Sequence, residues 1–223
     1  MIEEILPPAV VSAETFSYPV APPALFPEEE PAQAGWSPAR RAEFATVRML
    51  ARLALGGLGL PPVPIPRGDQ GAPVWPAGVV GSMTHCPGYG AAAVGRRDEV
   101  LAIGVDAEQS LPLPPGVLDV ICRPAERREI QRLSDSDPDV CCDRLLFSAK
   151  ETLYKAWFPL THRWLDFEDV EVQLEPDGTM AAHLLVPGPR VGRARADDFS
   201  GRWLLRGDLL ATAIAIPPSA GVT

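Results

Sequence analysis

The sequence predicts a mixed helix and strand protein, built as one large domain or as two small packed halves. Three observations carry that expectation. At 223 residues the chain is long for one average domain and short for two. Hydrophobic residues make up 46 % and charged residues 22 %, the balance of a soluble chain that buries a core. Segments with helix start signals alternate with short apolar runs bounded by glycine and proline, the signature of strands and turns.

Residues 1–36 hold prolines at 7, 8, 19, 22, 23, 27 and 31 and the acidic run Glu28-Glu29-Glu30. That composition predicts an irregular arm across the surface, with one short strand near 15–20. Ser37-Pro38 then supplies an N-cap and a proline at the first helical position, so a helix runs from 38 to about 55, where Gly56-Gly57 stops it. At about 100° per residue, Arg41, Arg48 and Arg52 fall within about 40° of one another and form a basic stripe, with Arg40 near the helix start. A proline-rich connector, 61–66, leads through Arg67-Gly68-Asp69 into turns around short extended pieces. Residues 79–84 and 89–94 read as strands of a hairpin-like region. Residues 100–106 read as a buried strand that ends abruptly in Asp106-Ala107-Glu108. Residues 109–115 resemble a crossover between halves. Helices follow near 116–121, 124–133 and 139–158. Strands at 164–174 and 180–185 flank the turn at 175–178, and a last hairpin pairs 201–206 with 209–216 across Gly207-Asp208.

The net charge of -9 argues against nucleic-acid binding, which needs a basic excess for phosphate contacts. No run of 18 apolar residues appears, and the acidic start Met1-Ile2-Glu3-Glu4 does not resemble a secretory signal, so a soluble, cytoplasmic protein without a membrane partner is expected. Cys86, Cys122, Cys141 and Cys142 lack the spacing of a zinc or redox motif. With histidines only at 85, 162 and 183, a His/Cys metal site has little support.

Chemistry concentrates in a few places. The only two lysines, Lys150 and Lys155, lie five residues apart with Glu151 between them, and all other basic residues are arginine. Lysine supplies a compact ammonium where arginine supplies a fixed fork, although codon preference alone also produces such a bias. Asp106 and Glu108 are two apart on a strand and so share a face; a hard cation such as Mg²⁺ would relieve their repulsion. Equally, both fit a solvated strand end. On a helix over 139–158, Glu151 lies almost opposite the apolar arc and about 40° from Lys155. An exposed ion pair worth about 0.3 to 0.5 kcal/mol is the plainer account of that spacing. His85 sits among small residues whose backbone N–H groups can approach an anion, or is simply a structural side chain.

Taken together, Gly81-Ser82-Met83-Thr84-His85, Ile103-Gly104-Val105-Asp106-Ala107-Glu108 and Phe147-Ser148-Ala149-Lys150-Glu151-Thr152-Leu153-Tyr154-Lys155-Ala156-Trp157 closely resemble the three ordered motifs of the 4'-phosphopantetheinyl transferases. The match is to their larger, monomeric class and covers most of residues 37–170. The resemblance implies an α+β fold of two similar α/β halves with pseudo-twofold symmetry, divided as 1–108 and 109–223, with coenzyme A in the cleft between them. It implies Mg²⁺, with Mn²⁺ as an alternative ion, held by Asp106, Glu108 and Glu151. It implies catalytic roles for Glu151 and Lys155, with either Glu151 or a metal-bound water held by it as the base. Contacts to coenzyme A are implied for Arg40, Arg48, Arg67, Ser82, Met83, Thr84, His85, Asp106, Lys150 and Lys155, with Arg41 as an alternative to Arg40. The implied reaction moves 4'-phosphopantetheine from coenzyme A to a serine of acyl or peptidyl carrier proteins of polyketide, nonribosomal-peptide, siderophore or lipid pathways. A Mg²⁺-dependent diphosphate hydrolase would use the same carboxylates and lysines with water as nucleophile; coenzyme A breakdown without a carrier would mark it. A non-catalytic carrier-binding module would keep the scaffold without turnover.

Overall fold

A computed structural model describes residues 1–191 and 194–218 of the chain. Its elements are β1 (Val10–Thr15), α1 (Pro38–Gly57), β2 (Val79–Cys86), β3 (Tyr89–Arg96), β4 (Ala102–Gln109), α2 (Val117–Ile121), α3 (Pro124–Ser136) and α4 (Cys142–Thr161). They continue with β5 (Val170–Leu174), β6 (Thr179–Leu184), β7 (Arg190–Val191), β8 (Ala194–Arg195), β9 (Asp198–Arg206) and β10 (Leu209–Ile216). Strands β1, β3 and β2 form one antiparallel sheet in that order; β4, β10, β9, β6 and β5 form a larger one, and β7 pairs with β8 alone. Mixed α and β structure on two sheets is the fold class that the sequence and the resemblance imply.

Periodicity explains how the layers interlock. Ser37 caps α1 by accepting the Arg40 N–H, and Leu50, Ala51, Ala54 and Leu55 on its inner face pack on Val79, Ala92 and Val94. The alternate residues of β3, Ala91 and Ala93, point the other way, into a cluster with Ile103, Val105 and Ala107 of β4 and Ala211 and Ala213 of β10. The opposite face of the larger sheet, through Ala102, Leu210 and Ile214, takes the apolar side of α4 at Leu145, Ala149, Leu153 and Trp157. Each large apolar side chain buried in this way contributes roughly 1.5–3 kcal/mol.

The two sheets meet where β2 runs beside β4. No main-chain ladder joins them; two hydroxyls do so instead. Ser82 Oγ accepts the Val105 N–H at 3.1 Å, and Thr84 Oγ1 accepts the Ala107 N–H at 3.0 Å. The expected division at 108/109 falls at the end of β4, which pairs with β10 from Ala102↔Ile216 to Gln109↔Leu209. Residues 192–193 and 219–223 of the expected second half lie outside the described residues.

Several local expectations are corrected. The first strand is Val10–Thr15 rather than 15–20, because its pairing with β3 ends at Thr15↔Gly90. The acidic run is not wholly a surface feature: Glu29 is fully buried and accepts from Arg52 and from the Phe26 and Ile65 N–H groups. Strand β4 continues through Asp106 and Glu108 to Gln109 instead of stopping there. Residues 164–169 are not strand; a 3₁₀ turn at Phe167–Asp169, capped by Asp166 and Asp169, precedes β5. Among the described residues, no helix is long and apolar enough to cross a membrane.

Candidate active site

Gly104 lets the site form. A Cβ there would lie 2.0 Å from the Thr152 carbonyl oxygen and 3.0 Å from the Ala156 nitrogen, so α4 can rest on β4 this closely only over a glycine. The contact sets α4 side chains over the face of β4 that carries Asp106 and Glu108. Asp106 is buried; its Oδ1 accepts from Lys155 Nζ at 2.7 Å and Thr84 Oγ1 at 3.1 Å, and its Oδ2 accepts from Ser148 Oγ at 2.8 Å. Lys155 Nζ also donates to Val105 O at 3.2 Å. Glu108, on the same face as its spacing predicts, accepts from Arg144 Nη1 at 3.2 Å.

Glu151 is half-buried on α4. Burial pushes its carboxyl up from the ordinary range; Lys155 opposes the shift and the Asp106 charge adds to it. Glu108 is likewise pushed up, first by burial and then by Asp106, against Arg144 and Lys155. The Asp106 charge thus raises both glutamates, and hard carboxylate oxygens of this kind suit a divalent cation. Among the described residues, however, no group of three or more such side chains is assembled as a cation cluster.

A second cluster gathers on Trp36. The guanidinium carbons of Arg40 and Arg67 lie 5.5 and 5.8 Å from its ring centroid. Arg40 also donates to His85 Nε2, with Glu43 3.5 Å from the same nitrogen. Burial and the Arg40 charge push the His85 pKa down to about 4, so the ring is neutral near pH 7. Arg40 rather than Arg41 meets His85; Arg41 donates to the Trp36 carbonyl. The sequence reading did not single out Trp36, although an aromatic residue next to the helix cap was available as a signal.

Two expected phosphate contacts have protein partners instead. Lys150 is buried, and its ammonium donates to Ile121 O at 2.7 Å, Glu126 Oε2 at 2.8 Å and Phe167 O at 2.8 Å, so its three protons are taken inside the protein. Arg48 is buried as well, with Nε on Ile65 O and its guanidinium 3.3 Å from the Phe44 ring centroid. The basic stripe dissolves accordingly, since Arg52 binds Glu29. Ser82 and Thr84 direct their hydroxyls to β4 and Asp106, while Met83 lines a cavity.

That cavity has a volume of about 810 Å³ and opens between the 68–78 loop, Met83 and Ile103, and Glu151, Tyr154 and Lys155 of α4. A narrower one of about 300 Å³ shares Gln70, Glu151 and Tyr154 with it and is closed by Trp164, Leu165 and Phe167. The Tyr154 hydroxyl, on the shared wall, is buried without a hydrogen-bond partner among the described residues. The sequence reading also missed Ser148, whose place seven residues before Lys155 puts both on nearly one helical face.

Comparison with known proteins places the chain in a family. Residues 28–95 match the model of the 4'-phosphopantetheinyl transferase N-terminal domain, and residues 102–206 match that of the 4'-phosphopantetheinyl transferase superfamily. The chain is 51 % identical to the 4'-phosphopantetheinyl transferase Svp of Streptomyces mobaraensis, across 99 % of this chain and 91 % of that protein. It is 47 % identical to Npt of Nocardia iowensis (96 % and 99 % covered) and 45 % identical to PptT of Mycobacterium tuberculosis (97 % and 98 % covered), both named 4'-phosphopantetheinyl transferases. With both halves of the motif set matched and relatives similar over nearly the full length, this chain belongs to the 4'-phosphopantetheinyl transferase superfamily.

Proposed function

We propose that this transferase moves 4'-phosphopantetheine from coenzyme A to a serine of an apo acyl or peptidyl carrier protein. The serine oxygen forms a bond to the β-phosphorus, the diphosphate bridge breaks, and adenosine 3',5'-bisphosphate leaves. The observation that carries this is that Lys155, which lines the large cavity together with Glu151, binds the buried Asp106 carboxylate, in a chain of this family. The Lys155 ammonium stabilises charge on the phosphate that departs. Glu151, with a raised pKa and no hydrogen bond among the described residues, takes the serine proton. Arg40 and Arg67 on Trp36, with neutral His85 beside them, supply donors for the 3'-phosphate.

Asp106, Glu108 and Glu151 carry the hard oxygen donors that would hold Mg²⁺ or Mn²⁺, and a bound cation would supply charge neutralisation on the diphosphate. The same proposal takes the protein as a cytoplasmic monomer whose two sheet-and-helix units, divided near 108/109, are similar halves about the cleft. Incubation of the purified protein with Mg²⁺, coenzyme A and apo carrier proteins should give the mass increase of a phosphopantetheine arm in intact-mass spectra. Absence of transfer to every one of several carrier types would overturn the proposal.

A further inference from the structure

Behind Asp106 lies a chain of buried hydroxyls, and we infer that Ser148 and Thr212 are positioning residues that fix the Asp106 carboxylate for cation binding. The inference rests on Asp106 holding the cation. Ser148, Thr152 and Thr212 are all fully buried at 0 % exposure, whereas Asp106 keeps 5 %. They therefore touch neither substrate nor cation and can act only through Asp106.

The direction of the chain follows from proton counting. An ionised carboxylate only accepts, so the single Ser148 hydroxyl proton goes to Asp106 Oδ2 at 2.8 Å. The lone pairs left on Ser148 Oγ face Thr212 Oγ1 at 2.9 Å, and Thr212 Oγ1 faces Thr152 Oγ1 at 2.6 Å. With Ser148 committed as donor to the carboxylate, Thr212 faces it as a donor, and Thr152 Oγ1 has both Thr212 Oγ1 and, at 3.4 Å, Thr212 O as partners. The Ser148 carbonyl, at 3.1 Å, is the other acceptor within reach of Thr212. The Ser148 O–H dipole thus ends on the Asp106 charge, with the two threonine hydroxyls joined behind it in one buried hydrogen-bonded network.

The placement comes from the sheet register and the helix spacing together. Thr212 is the direct cross-strand partner of Asp106, and Ser148 and Thr152 are one turn apart on α4. Apolar residues at the three positions would pack among Leu145, Ala149 and Leu153 without burying polar groups, but would leave Asp106 Oδ2 with no donor. Thr84 meets the other oxygen from β2, so the carboxylate plane is held from both sheets.

Orienting partners of metal-holding side chains typically govern about 10- to 100-fold in metal affinity. Ser148→Ala should therefore weaken Mn²⁺ binding to the free protein, read by electron paramagnetic resonance, by about 10-fold. The Mg²⁺ concentration for half-maximal transfer should rise by a similar factor, while kcat at saturating Mg²⁺ changes by less than about 3-fold. Thr212→Val, which removes one hydroxyl in an isosteric side chain, should have a smaller effect in the same direction, and Thr212→Ser should restore the affinity. Thermal unfolding of each variant confirms that the protein measured is folded. Wild-type Mn²⁺ affinity in both Ser148→Ala and Thr212→Val, or Thr212→Ser binding no better than Thr212→Val, overturns the inference. Asp106→Asn separates the two levels. If it too binds Mn²⁺ like wild type, the cation assignment itself fails; if it loses Mn²⁺ while Ser148→Ala does not, only the hydroxyl chain is refuted.

Discussion

Lys150 and Lys155 stand five residues apart on one helix and have unlike surroundings. Lys155 reaches Asp106 at the cavity, whereas Lys150 faces inward and ties the end of α2, the start of α3 and the turn before β5 to α4. Glu126 completes that hub by accepting the Arg123 and Val172 N–H groups. Removing one partner of a buried pair leaves an uncompensated charge, so Lys150→Met should lower unfolding free energy by about 3–5 kcal/mol in urea titrations. The folded fraction should keep its KM for coenzyme A within about 2-fold, since protein acceptors take all three ammonium protons although the side chain borders the narrower cavity. A KM rise of ten-fold or more without a stability change would return Lys150 to the substrate.

His85 shows how a site residue also shapes pH dependence. Its folded pKa is about 4 against 6.5 for the free side chain, and Arg40, Glu43, Lys155 and Asp106 are the charged groups that act on it. Between those two values the unfolded chain binds a proton that the folded chain does not. Stability therefore falls as pH drops from 6.5 toward 4. Thermal unfolding across that range should show a shallower loss in His85→Gln than in wild type; equal slopes would contradict the depressed pKa.

At the scale of elements, the contact of α4 with β4 sets the site, and Gly104 sets the contact. Gly104→Ala forces the helix backbone away from a Cβ that would otherwise lie 2.0 Å from Thr152 O. Overpacking of this kind costs about 1–3 kcal/mol or more, and here it also moves Glu151 and Lys155 relative to Asp106. Transfer activity should fall well over 10-fold even at temperatures where the variant is folded by circular dichroism. A variant with full activity would show that α4 can shift without consequence. The glycine was visible in the sequence, but the atoms that demand it belong to a helix some fifty residues later.

Across the whole molecule, the seam between the sheets and the candidate site are the same place. Strand β4 is bound to β10 by a main-chain ladder on one edge and hydrogen-bonded to β2 through Ser82 and Thr84 on the other. Thr84 serves both purposes, since its hydroxyl accepts from β4 and donates to Asp106. The large cavity opens beside that seam, between β2, β4 and α4, where groups from both sheets reach one space.

Local rules determined much of this protein from its sequence. The Ser37-Pro38 helix start, the strands of the 79–94 hairpin, the β9–β10 hairpin, the shared face of Asp106 and Glu108, and the nearness of Lys155 to Glu151 all follow from residue periodicity and turn chemistry. Burial was not legible in the same way. Whether a charged side chain faces a cavity or the core depends on which distant elements close over it. Lys150, Arg48 and Glu29 are therefore indistinguishable in sequence from the exposed groups beside them. The hydroxyl chain from Thr152 through Thr212 to Asp106 was likewise decided only in three dimensions, because its members lie on two strands and a helix that meet by packing.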